Sequence, residues 1–189
     1  MSALSKLAVQ IGLEAAGKAE PDFLVFCSQH GDLIRLREML SNIATGVELS
    51  PTAFSQSVHN ASAGLYTIIA QSRAPVSSLA SGGSTFASGW IEAEGFLAKH
   101  PESQVLLVNY DEPLPREYLP YCPQEQCQYA LGLLLRAADE RAIVLRTSAA
   151  EQDEPLPLAP LFMAWALTLE ETLRVTADGQ GWTWTRGAR

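Results

Sequence analysis

The sequence predicts an α/β fold, with layered helices packed on a mixed sheet in one domain over residues 1–189. Three observations carry this. The runs FLVFC at 23–27 and QVLLVNY at 104–110 are almost continuously apolar, the pattern of strands buried on both faces. Around them lie segments with apolar residues three and four positions apart, the pattern of helices. The two kinds of segment alternate, as a layered α/β sheet requires. With 47% hydrophobic and 18% charged residues, the chain can build a sizeable core.

In chain order, residues 3–16 suit a helix, with Leu4, Leu7, Ala8, Ile11 and Ala15 on one side and Gly17 as the stop. Pro21 and Asp22 precede the strand at 23–27. His30-Gly31-Asp32 reads as a turn, and 32–44 shows helical spacing through Leu33, Leu36, Leu40 and Ile43. After a turn at 45–52, residues 53–72 read as a helix rich in small residues. Pro75 restarts the chain, 76–80 is a short strand, Gly82-Gly83 a tight turn and 84–99 a helix. The strand at 104–110 follows, then a loop at 111–126. Strands are expected at 127–136 and 142–147, an exposed linker at 148–157 and a helix at 158–173. WTWTR at 182–186 alternates like an edge or hairpin strand. No internal repeat is visible.

Charge and cysteine usage narrow the function. The net charge is −8 and no basic stripe exists, so nucleic acid is not an expected partner. An acidic partner would need a local basic patch, for which Arg35 with Arg37 is the candidate. The odd set Cys27, Cys122 and Cys127 argues against a disulfide framework, and the C-x4-C pair is a poor zinc signal. No apolar run reaches the roughly 18 residues a membrane span needs. Lys6 and Glu14 interrupt the opening stretch, so it does not read as a signal peptide. The expected setting is a reducing, cytoplasmic one. No phosphate-loop or dinucleotide motif is present, and neither a cofactor nor a metal is expected.

The informative stretch is 50–94, which reads as helix, proline break, short strand, sharp glycine turn and helix. A strand turning abruptly into a helix is where α/β enzymes place nucleophiles. The turn exposes a side chain, and the helix N-terminus offers unpaired N–H groups. Ala63-Gly64, Arg73-x-Pro75, the strand at 76–80 and the turn at 81–83 follow in the order found around the active-site cysteine of β-ketoacyl synthases. The segment resembles that family, whose members share the thiolase fold. It is closer still to the family's shorter, N-terminal-like members. The matching residues are Ser50-Pro51-Thr52, Phe54, Ser57 to Asn60, Ser78-Leu79-Ala80, Thr85-Phe86 and Gly89 to Ala93, with VLLVNYDEPLP at 105–115. The match is dense over about 50–115 and weaker elsewhere. The family's strand before the first helix is not visible.

The resemblance places Gly83 where the family has its cysteine, and glycine cannot be a nucleophile. The family's two histidines come from the second half of a full-length fold, and this chain has about the length of one half. The resemblance therefore implies a thiolase-like half-fold acting as a non-catalytic, chain-length-factor-like subunit. Such a subunit pairs with an active β-ketoacyl synthase and helps shape the acyl tunnel. It meets acyl carrier protein through the complex, in aryl polyene or related polyketide or fatty-acid-like elongation. Ser77, Ser78, Leu79, His59 and Asn60 are then the expected interface residues, and Ile34, Arg35 and Glu38 the tunnel candidates.

The competing candidates are thinner. Cys27 ends a buried strand and reads as an inert core thiol. Cys122 and Cys127 read as free thiols beside a proline-rich loop. Ser81 and Ser84 flank the glycine turn without a G-x-S-x-G pattern. His100 reads as an exposed helix end. Asp111-Glu112 sits at a strand end, where carboxylates can be catalytic but more often begin a solvated loop. The alternative they leave open is a stand-alone acyl-thioester enzyme, a thioesterase or decarboxylase using Asp111 or a serine. Such an enzyme becomes covalently acylated or turns over an acyl thioester by itself, and a partner subunit does neither.

Overall fold

The computed structural model describes residues 1–122, 124–137, 142–150 and 154–187. Helix α1 (Ala3–Ala16) opens on Ser2, whose hydroxyl accepts from the Ser5 amide at 3.1 Å, and stops at Gly17 with φ 57°. Strand β1 (Phe23–Cys27) leads to α2 (Leu33–Ala44), capped by Asp32. Short α3 (Pro51–Ser55), with Pro51 in its first turn, precedes α4 (Ala61–Ile69). Strand β2 (Val76–Leu79), helix α5 (Thr85–Lys99) and strand β3 (Gln104–Asp111) follow. A 3-10 turn (Arg116–Tyr121) connects to β4 (Tyr129–Arg136) and β5 (Ile143–Ala149). Helix α6 (Leu158–Ala166) and the hairpin β6 (Thr172–Ala177) and β7 (Gln180–Arg186) close the chain.

The main sheet has the order β2-β1-β3-β4. β2 and β3 run parallel to β1, with Val25 beside Ser77 and Leu107, and β4 is antiparallel to β3. A second sheet, β5-β7-β6, is wholly antiparallel. The near-continuous hydrophobicity of β1 and β3 now has its cause. Leu24, Phe26, Leu106 and Val108 face α1 and α4, while Val25, Cys27, Val105 and Leu107 face α5, α6 and the second sheet.

On the second face Trp184 is fully buried, with Phe162, Phe86 and Trp90 ring centroids at 5.6, 5.8 and 6.5 Å. Burying a ring of that size contributes about 4–6 kcal/mol of transfer free energy. It joins the hairpin firmly to α5. Helices sit close on the sheet at two glycines. A Cβ at Gly89 would collide with Cys27 Sγ, and one at Gly132 would lie 2.8 Å from the Ile11 carbonyl oxygen of α1.

Two expected helices are corrected. Residues 53–72 are not one helix. α3 ends at Ser55, and 56–60 is a turn, so His59 and Asn60 precede α4 rather than lying within a helix. Ser55 and Ser57 donate their hydroxyls to the Pro51 and Phe54 carbonyls, a local alternative to helical pairing. The helix expected over 158–173 stops at Ala166, and 172–177 is a strand. Here Arg186, from β7, donates to the carbonyls of Trp165, Ala166 and Thr168 and lies 4.4 Å above the Trp165 ring. A cation arriving from 20 residues away thus terminates the helix. The expected linker at 148–157 begins inside β5, and residues 151–153 lie outside the described set. No helix among the described residues is long and apolar enough to cross a membrane.

Candidate functional site: the glycine turn and the open strand

The C-terminal ends of β1, β2 and β3 share one edge of the sheet, the edge where open α/β sheets carry their sites. Between β2 and α5 the chain turns through Ser81, Gly82 and Gly83. Gly82 has φ 51°, and the Thr85 hydroxyl binds both the Ser81 amide and the Gly82 carbonyl, at 2.9 and 2.6 Å. Gly83 has no such backbone demand. A Cβ there would lie 2.7 Å from Gln124 Nε2, 3.3 Å from Ala177 Cβ and 3.4 Å from Asp178 Oδ1. The space a side chain would use is filled by Gln124 and the β6–β7 turn.

That turn also closes the helix end. Asp178 and Gly179 occupy the left-handed region at φ 54° and 72°, the signature of a two-residue hairpin turn. The Asp178 carboxylate accepts from the Ser84 amide at 2.8 Å, so it caps α5 from 94 residues away. Ser84 itself is buried. Its hydroxyl donates to the Ala177 carbonyl and accepts from Trp182 Nε1, both at 3.2 Å. The sequence reading missed Asp178. Asp178-Gly179 between two alternating runs was the available signal, obscured by extending the preceding helix to 173.

Asp111 is buried and fully engaged. Oδ1 accepts from Ser28 Oγ at 2.8 Å and the His30 amide at 3.1 Å. Oδ2 accepts from the Gln29 amide at 3.0 Å and Tyr129 Oη at 3.1 Å. It braces the turn after β1. The adjacent Glu112 carboxyl is pushed up by burial, helped by Asp32 and Asp111. Burial likewise pushes the Cys27 thiol far up, with Asp111 and Glu92 adding to it, as befits an inert core thiol. The Cys127 thiol is also raised, by burial first, then by Asp111 and Glu125. His100 is exposed and packs on the Phe96 ring at 4.6 Å. The described residues hold no cluster of three metal-ligating side chains.

β2 is an edge strand. Leu24 and Ser28 amides donate to the Pro75 and Leu79 carbonyls, so residues 75, 77 and 79 turn their backbone groups toward β1. By alternation Val76 and Ser78 direct theirs to the open side. On one face of this edge lies a hollow of about 380 Å³ lined by Asn60, Ala63, Gly64, Val76 and Ser78. The Ser78 hydroxyl oxygen is buried and finds no hydrogen-bond partner among the described residues. Of the expected interface residues, Ser78 and Asn60 thus meet here. Leu79 packs into the core beside α5, and the His59 ring turns inward to donate to the Ser28 carbonyl at 2.9 Å.

α2 and α3 stand apart from the sheet. Within α2 only Met39 is buried, while Leu40 and Ile43 are 50% and 58% exposed, and Phe54 of α3 is 59% exposed. Of the tunnel candidates, Ile34 and Glu38 are exposed. Arg35 is tied to Asp32 at 3.2 Å and Gln56 at 2.9 Å, which pins α2 to the end of α3. Arg37 pairs with Glu117 at 2.8 Å. Both arginines of the expected basic patch are therefore already paired.

Comparison with known proteins adds three findings. No curated protein matches the chain. The chain is similar to a chain in the structure titled "Ketosynthase (ApeO) in Complex with its Chain Length Factor (ApeC) from Xenorhabdus doucetiae", with a TM-score of 0.91 and 31% identity over 98% of this chain and 78% of that one. The family described as "Beta-ketoacyl synthase, N-terminal domain" matches residues 1–185. With this match over nearly its whole length, on a mixed sheet whose β2–turn–α5 unit has the family's order, the chain belongs to the β-ketoacyl synthase N-terminal domain family.

Proposed function

We propose that this chain is a non-catalytic, chain-length-factor-like subunit, a thiolase-like half-domain that pairs with a cysteine-bearing β-ketoacyl synthase. It helps shape the acyl tunnel in aryl polyene or related polyketide or fatty-acid-like elongation. Acyl carrier protein meets it through the complex, in the cytoplasm. The observation that carries this reading is the open β2 edge, where Val76 and Ser78 direct their backbone groups away from β1 beside a hollow lined by Asn60, Ala63 and Gly64; α2 and α3 separately expose apolar residues. An unpaired strand edge and exposed apolar helix faces are each surfaces built to be covered. The similarity to a chain from a ketosynthase–chain length factor complex supports the same reading. In it β2 pairs with the partner, Ser78 and Asn60 line the contact, and α2 with Ile34 and Glu38 borders the tunnel.

At the turn, Gly83 offers no nucleophile, and Asp178 and Gln124 take the space and the helix N–H that an acyl intermediate would need. Asp111 and Ser84, on which a stand-alone thioesterase or decarboxylase would draw, are both bound into structural networks. The test is coexpression with a cysteine-bearing β-ketoacyl synthase of an aryl polyene system, followed by native mass measurement. A one-to-one complex is the expected result. A chain recovered only as monomer or homodimer would overturn the reading.

A further inference from the structure

An acidic partner needs unpaired cations, and Arg35 and Arg37 are both paired to carboxylates. The second sheet carries two that are not. Arg146 of β5 and Arg174 of β6 are both registered on Thr183 of β7, so the three residues form one row across the strands. Alternation fixes which face carries the row. Trp182 and Trp184, on either side of Thr183, are buried in the core, and so is Val175 beside Arg174. Arg146, Thr183 and Arg174 therefore point outward, away from that core.

Both arginines are exposed, and neither makes a hydrogen bond or ion pair among the described residues. The carboxylates nearest Arg174 along the chain, on Glu171 and Asp178, do not pair with it, and Asp178 is committed to the α5 N-terminus. The neighbouring row is Val144, Thr185 and Thr172, with the two threonine hydroxyl oxygens 3.5 Å apart. Across these two rows the face carries two positive charges, neutral hydroxyls and no carboxylate. In a chain of net charge −8 this is a local reversal of sign. At physiological salt more distant charge is screened beyond about 8 Å, so the row itself decides what makes contact.

We propose that this outer face of β5, β7 and β6 is a docking surface for an acidic helix of a partner protein. Arg146 and Arg174 stand two strand spacings apart, roughly 9.6 Å. Residues seven apart on one helix face are roughly 10.5 Å apart. Two carboxylates at that spacing meet both guanidinium groups, and a polar residue between them faces the Thr183 hydroxyl. The sheet face is flat, which suits the side of a helix, whereas a small anion needs a concave site. The surface lies beyond α5, on the side of the main sheet away from α4 and its hollow, and does not depend on pairing through β2.

The experiment titrates the purified full chain into a fluorescent helical peptide with two glutamates seven residues apart on one face, at about 0.15 M salt, read by anisotropy. The control peptide has glutamine at both positions. The glutamate peptide should bind about tenfold more tightly. Arg146→Ala and Arg174→Ala should each weaken it about threefold, and the double variant should bind the two peptides equally. Arg73→Ala, the same charge change at another exposed position, should bind as wild type does. All these variants should keep the wild-type thermal midpoint, because the side chains they remove are exposed. Equal binding of the two peptides by wild type, an unchanged preference in the double variant, or an equal loss in Arg73→Ala would overturn the proposal. Displacement of the peptide by micromolar inorganic phosphate would make the row a small-anion site and overturn it as well.

Discussion

Replacing Asp111 tests whether this carboxylate is a brace or a reagent. Its two oxygens accept from two hydroxyls, on Ser28 and Tyr129, and from two backbone amides, on Gln29 and His30. In Asp111→Ala all four donors lose their acceptor. The hydroxyls can rotate toward other partners, but the amides cannot. Each amide left without an acceptor costs about 1–3 kcal/mol, so the expected loss is about 4 kcal/mol. Asp111→Asn keeps the shape but presents NH2 at one end. That NH2 belongs at the Oδ2 position, where the Tyr129 hydroxyl can switch to accepting and only the Gln29 amide is left facing a donor. The expected cost is then about 2 kcal/mol, half that of alanine. Urea unfolding followed by fluorescence reads both as lower midpoints at unchanged slope. The reasoning fails if Asp111→Asn is as stable as wild type within about 0.5 kcal/mol, or if asparagine costs as much as alanine. A thioester-cleaving activity lost in Asp111→Asn at full stability would instead make Asp111 a reagent.

Four further outcomes are expected. Ser78→Pro removes an amide that points to the open side of β2, so it should leave the thermal midpoint of the isolated chain nearly unchanged while abolishing the complex seen by native mass. Gly83→Cys alone should react slowly with iodoacetamide, because Asp178 faces the new thiol; adding Asp178→Asn should speed that reaction about tenfold or more, read by mass spectrometry. Gly132→Ala should cost about 1–3 kcal/mol in urea unfolding, because its Cβ would meet a backbone oxygen of α1 that cannot step aside. His30 is depressed by burial, so the unfolded chain binds its proton first as pH falls. Stability from this group is complete above the unfolded value near ~6.5 and declines below it, and His30→Gln should flatten that part of the urea midpoint profile.

Much of the fold was legible because it is local. β1 and β3 are buried on both faces, which writes itself as unbroken hydrophobicity, α1 and α2 show their periodicity and caps directly, and α5 shows its periodicity. The misreadings occur where a distant residue decides. α6 ends at Ala166 because Arg186 takes its carbonyls, and nothing within 158–173 announces that. The break before α4 depends on serine hydroxyls choosing carbonyls over solvent. For the candidate site, Ser78 on its strand and Asn60 in its expected helix were both readable as interface residues, but the hollow they share requires α4 and β2 to meet. The Asp178 cap joins residues 94 positions apart, and no spacing rule reaches that far.

The Asp178 cap also sets a threshold for any small anion that approaches the glycine turn. Because the carboxylate is tethered through a two-residue turn whose sheet is anchored by buried Trp184, it competes as an intramolecular ligand, at an effective concentration of roughly millimolar order or above. A phosphate or acyl carboxylate arriving at micromolar levels from solution loses that competition unless the hairpin moves. Occupancy of the α5 N-terminus is thus coupled to the packing of Trp184 against Phe86 and Trp90.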